Sequence, residues 1–292
     1  MLNSIQSPLK PTAPTAPPAH IDGIEQRSTV PWRDVALFTG LVYAFAWGLF
    51  IALRPNIFHF LTASRVPNKL AIPPSYVLGM FAPSAAAVVM RLFVSKEGLK
   101  GSLGPVRAWR FYALAVALAA VAVTAMIGFD GLSGLGTFIW HKHVPLLVAY
   151  VLLAFEGLTF SAVLALGEEY GWRGYLLPKL LPLGEVKAAV IVGAIWALWH
   201  TPILIAGLNY PGVAPLAAIA VFIPVVIATS VLFTRVFVIS GGAVLVTAVL
   251  HGSFNASTAS ATSSRAPPTS PRISSSADLG ARLASASFSS PR

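Results

Sequence analysis

The stretch Gly167-Glu168-Glu169-Tyr170-Gly171-Trp172-Arg173-Gly174-Tyr175 decides how the rest of the chain is read. It closes a long apolar run, Val148 to Leu166, with two adjacent carboxylates, and an arginine follows four residues after the second. The whole chain holds only 10 Asp and Glu in 292 residues, so a pair at this position is costly and selective. Carboxylates in or beside hydrocarbon cost a few kcal/mol each, and residues of this kind in spans are usually functional. Two later apolar segments each carry one histidine at similar depth, His200 and His251. The three segments are expected to meet and build one polar site inside the membrane.

Composition supports that setting. Hydrophobic residues make up 56% of the chain and charged residues 10%, and mean hydropathy is +0.75. A soluble domain carries about 25% charged residues, so the chain is a polytopic membrane protein by composition. The absence of cysteine excludes a disulfide framework, thiolate metal sites and a cysteine nucleophile. It also excludes prenylation or palmitoylation of this chain itself. The net charge of +10 is spread through loops with no dense basic run, which argues for membrane topology and against nucleic-acid binding.

Seven apolar runs, at about 35–53, 76–94, 110–128, 145–167, 187–206, 213–238 and 240–256, each approach the roughly 20 residues that a spanning helix needs. The expected fold is all-α, a polytopic transmembrane helical bundle of about seven spans over residues 35–256. A Pro- and Thr-rich head, 1–34, and a Ser-rich tail, 257–292, are expected to be disordered. With the head cytoplasmic, twelve Lys and Arg fall on its side of the membrane and four on the other before the tail, so the N-terminus is expected inside. Trp32, Trp47, Trp109 and Trp140 stand near run ends, as interface anchors would. Glu168 lies nearer a surface than the two histidines unless its helix continues through Leu176. The apolar character of residues 170–181 favours that continuation.

On a helix, residues four apart share a face. Glu169 and Arg173 are so spaced, as are Trp196 and His200, and His251 and Asn255. Glu169 and Arg173 can form an internal ion pair, while Glu168 points about 100° away and is left for another role. Glu168, His200, His251 and Asn255 suffice to hydrolyse an amide bond. A carboxylate in a partly dry pocket can take a proton from water and pass it to a leaving amine, and one imidazole can orient that water. A histidine and a carboxamide on one face can support the developing oxyanion. Alternatively Glu168, His200 and His251 can bind Zn²⁺ and leave a fourth position for water, although the His-Glu-x-x-His signature is missing. Glu156 reads as an interhelical contact, His141-Lys142-His143 as a loop, and Ser240-Gly241-Gly242 as a turn before the last span. Each polar residue taken singly has an ordinary reading as a solvated helix end or a packed histidine; the three together, in order, do not.

The stretch from Glu168 to Pro178 resembles the first motif, Glu-Glu-x-x-x-Arg, of the CPBP intramembrane proteases, a family also called type II CAAX prenyl endopeptidase, lysostaphin resistance protein A-like or Abi. Ile195-Trp196-Ala197-Leu198-Trp199-His200-Thr201-Pro202 resembles the second, Phe-x-x-x-His, with Trp196 in place of Phe. His251-Gly252-Ser253-Phe254-Asn255 resembles the third, His-x-x-x-Asn, and the three cover about 145–255. The resemblance implies an intramembrane endopeptidase acting on a membrane-anchored protein or peptide. It implies Glu168 as the residue that activates water with His200, His251 and Asn255 as oxyanion support, and Glu169 and Arg173 as architecture. Family members are described both as zinc metalloproteases and as metal-free glutamate enzymes. The Ala-rich, Arg-over-Lys composition suits a bacterial plasma membrane. Two other readings compete: a non-catalytic immunity or scaffold protein of the same family, and a small-solute or metal transporter. The second of these lacks the internal repeat that many transporters show.

Overall fold

The computed structural model describes residues 29–52, 74–106, 109–133, 146–206, 210 and 213–263. Of the head (1–34) and tail (257–292) expected to be disordered, residues 1–28 and 264–292 fall outside these, as do Trp140 and the His141-Lys142-His143 loop, whereas residues 32–34 and 257–263 are helical. Among the described residues all regular structure is helical, as a chain that must satisfy every backbone N–H and C=O without water requires.

The helices are α1 (Trp32–Ala52), α2 (Pro74–Met80), α3 (Ala82–Val89), α4 (Trp109–Ser133), α5 (Leu146–Leu158), α6 (Phe160–Gly171), α7 (Leu177–Leu180), α8 (Glu185–Trp199), α9 (Thr201–Ile205), α10 (Pro215–Ile239) and α11 (Val244–Ser263). A widened π turn, Met90–Val94, extends α3, and another, Trp172–Leu176, joins α6 to α7. Among the described residues three helical stretches are long and apolar enough to cross a membrane: Trp32–Ile51, Tyr76–Val94 and Pro215–Ile239. A bent pair, Tyr150–Leu158 with Phe160–Leu183, makes a fourth if it counts as one span, and Trp109–Ala125 and Val244–Ala256 are apolar but shorter. Each of the seven apolar runs is thus mainly helical where described, and among the described residues three or four stretches have full crossing length.

Breaks explain part of the difference. α5 and α6 meet at 44° across Thr159. The Thr159 hydroxyl donates to the Phe155 carbonyl at 2.6 Å, a back-bond of the kind that bends helices. At this bend Glu156 accepts, through Oε1, from the Ser161 hydroxyl five residues on. It therefore ties the two halves of one bent segment together, where an interhelical contact was expected. Beyond the bend the helix continues through Leu176 to Leu180, as the sequence suggests, and Glu168 sits inside the path and not at its end.

α11 packs on α4, α5 and α6 and is the helix around which the others gather. Its contact with α6 depends on Gly252, where a Cβ would stand 2.5 Å from the Ala162 backbone nitrogen. Small residues let helix backbones approach in the absence of any hydrophobic drive. The turn that delivers α11 is built as expected from Ser240-Gly241-Gly242. Gly241 (φ 74°) and Gly242 (φ 83°) adopt left-handed backbone. Their N–H groups donate to the Val238 (3.0 Å) and Phe237 (2.9 Å) carbonyls, which closes α10 in a Schellman motif. α11 itself runs on to Ser263, past the apolar run that ends at 256, because the Ala, Ser and Thr that follow still tolerate helical backbone.

Candidate active site

Glu168 and Glu169 occupy the last turn of α6, and both are buried, at 2% and 0% exposure. Glu169 is the electrostatic centre. Its Oε1 accepts from Arg173 Nη1 at 2.9 Å and from His251 Nδ1 at 2.9 Å. The spacing of four residues within one helical path makes the first contact, and α11 brings the second. Arg173 is wholly buried. A second of its nitrogens, Nη2, donates to the Ser230 hydroxyl on α10 at 3.3 Å, and that hydroxyl donates to the Ala189 carbonyl on α8 at 2.9 Å. The guanidinium carbon lies 4.8 Å from the Trp196 ring centre and 5.1 Å from that of Phe233, so aromatic faces replace water around the charge.

Glu168 is held differently. Trp196 Nε1 on α8 donates to its Oε2 at 2.7 Å, and His251 and the Tyr76 phenol on α2 lie within electrostatic reach of it. His200 caps the C-terminus of α8 at the break before Pro202. Its backbone N–H turns to the Ala197 carbonyl at 3.1 Å, and its ring Nδ1 takes the Trp196 carbonyl at 2.8 Å. A carbonyl only accepts, so Nδ1 carries the proton and a neutral ring keeps its lone pair at Nε2. The same logic applies to His251, whose Nδ1 donates to a carboxylate. Its Nε2 accepts in the neutral ring and donates only when the ring carries both protons.

The break at His200 is braced from α1. Trp47 Nε1 donates to the Trp199 carbonyl at 3.1 Å, at the break between α8 and α9, and the Tyr43 hydroxyl donates to the Ile195 carbonyl at 2.7 Å. Trp47 is therefore an interhelical donor where an interface anchor was expected. Ser230, Tyr43 and Tyr76 are contributors that the sequence did not single out. None falls in a motif, and a serine or an aromatic in an apolar run has no distinguishing pattern.

The structure brings Glu168, Glu169, Arg173, Trp196 and His251 into one buried cluster and sets His200 against the Trp196 backbone. Asn255 lies one helical turn beyond His251 and is exposed. Among the described residues no three His, Asp or Glu side chains stand where they could hold a metal ion. Of the expected ligands, Glu168 Oε2 is held by Trp196 and the Nδ1 atoms of His200 and His251 by the Trp196 carbonyl and Glu169, so the atoms left for a metal are Glu168 Oε1 and the two Nε2.

A membrane protein, helical throughout the regular structure of its described residues, with a buried acid–histidine cluster at the meeting of three helices is the class that the fold and site define. Residues 150–257, the part of the chain that holds the cluster, match the family model described as Type II CAAX prenyl endopeptidase Rce1-like. That match is consistent with the CPBP intramembrane protease family. No curated protein sequence matches the chain.

Proposed function

We propose that the chain is an intramembrane endopeptidase that uses Glu168 to hydrolyse a peptide bond in a membrane-anchored protein or peptide. The observation that carries this reading is the state of Glu168: a buried carboxylate with Oε2 held by Trp196, leaving Oε1 for a water. Water attacks the scissile carbonyl carbon as Glu168 takes its proton. The tetrahedral intermediate then collapses, the C–N bond breaks, and the proton passes from Glu168 to the leaving amine. His200 accepts a hydrogen bond from that water through Nε2 and so aims its lone pair. His251 supports the oxyanion from Nε2 in its doubly protonated form, with Glu169 at Nδ1 as the partner that form needs. Asn255, one turn on, serves the substrate's approach or the same oxyanion. No step in this scheme passes through a metal. The membrane is a bacterial plasma membrane with the N-terminus cytoplasmic, following the bias of positive charge.

A second reading, a non-catalytic immunity or scaffold protein, draws on the way the motif side chains bond one another across α6, α8, α10 and α11, which a purely architectural role would also need. One experiment divides the two. Membrane proteomics comparing wild type with Glu168→Ala should reveal a membrane protein that accumulates uncut. Reconstituted with the purified protease in liposomes containing a chelator, that protein should be cleaved by wild type. Glu168→Ala and His200→Ala should lower the rate by about 100-fold or more while both still insert. Turnover retained in either variant counts against the protease.

A further inference from the structure

We infer that the indole N–H of Trp196 is a positioning device for the Glu168 base, one that selects which carboxylate oxygen does the chemistry. This deepens the proposed protease reading and rests on it. The second motif as seen in the resemblance carries phenylalanine at this position, which offers a ring and no donor. Here the ring is kept and a donor is added: Nε1 reaches Glu168 Oε2 at 2.7 Å, in a site where Trp196 is 4% and Glu168 2% exposed.

A glutamate carboxylate on three rotatable bonds in a buried site has several acceptable poses, and it can swing toward the nearby Arg173 charge. The remaining features of Trp196 explain why it does not. The indole face carries the Arg173 guanidinium at 4.8 Å, and the His251 ring stands edge-on at 5.2 Å. The Trp196 backbone carbonyl holds His200 Nδ1 at 2.8 Å. One residue therefore sets the acid, carries the arginine on its face, packs the second histidine and fixes the tautomer of the first. Three of these functions belong to the ring or the backbone, and phenylalanine would keep them. The tether to Oε2 belongs to the N–H alone. With Oε2 occupied, Oε1 is the oxygen left to take the proton from water, so geometry and not chance selects the basic lone pair.

Trp196→Phe removes the tether and leaves the ring. In the liposome cleavage assay, kcat should fall about 10- to 100-fold, the range expected for a base that has lost its fixed placement, with KM within about twofold of wild type. An unchanged kcat, or a rise in KM with kcat preserved, overturns the inference. A second measurement needs no substrate and no Trp196 variant. In protein labelled with ¹⁵N at the indoles and held in micelles, one Nε1–H resonance should lie downfield as a donor to a carboxylate, and Glu168→Ala should move that resonance alone by a large step upfield. If no indole resonance moves, the tether does not exist. The two failures are separable: cleavage by Glu168→Ala sinks the protease, whereas an inactive Glu168→Ala beside a fully active Trp196→Phe sinks only the positioning role.

Discussion

The molecule contains two clusters of opposite charges built from the same chemistry in different surroundings. At the centre, Glu169 and Arg173 pair at 2.9 Å with both side chains fully buried, and every further partner is a side chain fixed by another helix. Near the ends of α1, α3 and α7, Lys179 pairs with Glu97 at 2.6 Å and with Asp34 at 3.7 Å, and Arg91 pairs with Glu97 at 3.2 Å. There the acids keep 24% and 17% exposure, and Arg91 also reaches the Gly174 carbonyl at 2.6 Å. The outer cluster can exchange partners with water; the inner one cannot. A charge orphaned in the interior has nowhere to go, so the inner cluster behaves as a single unit and the outer one as a set of separable contacts.

The sharpest way to break that distinction is Arg173→Ala. It leaves Glu169 buried with His251 as its remaining ion partner and strips the guanidinium from Trp196, Phe233 and Ser230. The expected cost is about 3–5 kcal/mol, the range for removing one member of a buried pair, read from denaturation of the purified protein in micelles. A loss near that of a surface pair would mean that water reaches Arg173, and the two clusters would then differ in degree only.

The contrast also marks how far the sequence could be read. The inner pair was legible, because a spacing of four inside an apolar segment leaves few alternatives for two ionised groups. The depth of Glu168 was legible too, once residues 170–181 were seen to be apolar enough to extend the helix. What could not be read was cross-helix donation. Trp47 and Trp196 are both tryptophans in apolar runs, yet one holds a carbonyl at a helix break and the other a carboxylate. Which acceptor meets an indole depends on the crossing of α1, α6 and α8, and a one-dimensional pattern does not encode that. Glu156 misled for a related reason. Its partner Ser161 sits five residues on, a pairing that a straight helix would not favour and that the bend at Thr159 permits.

Lys179→Met tests the outer cluster. The lysine itself is 3% exposed and lies over the Tyr175 ring at 4.3 Å. Methionine keeps much of the apolar stem and removes the charge, while Glu97 retains Arg91 and both acids retain access to water. The loss should be about 1–2 kcal/mol in the same denaturation assay, clearly below that of Arg173→Ala. Equal losses would show that the outer cluster is also sealed.

The limiting case is the pair between α8 and α10, Arg235 with Glu185, at 3.3 Å and with 61% and 33% of the side chains exposed. Two flexible side chains in water or headgroups gain little from meeting, since ordering them offsets most of a screened attraction. Arg235→Ala should therefore change stability by under about 0.5 kcal/mol, and raising the salt concentration should leave that difference near zero. A loss comparable to that of Lys179→Met would show that α8 and α10 are held together at their ends by charge. On the packing seen here they are held along their length, where Gly193 admits the Ile227 and Ser230 backbone segment to a distance at which a Cβ would stand 2.8 Å from the Ile227 Cα.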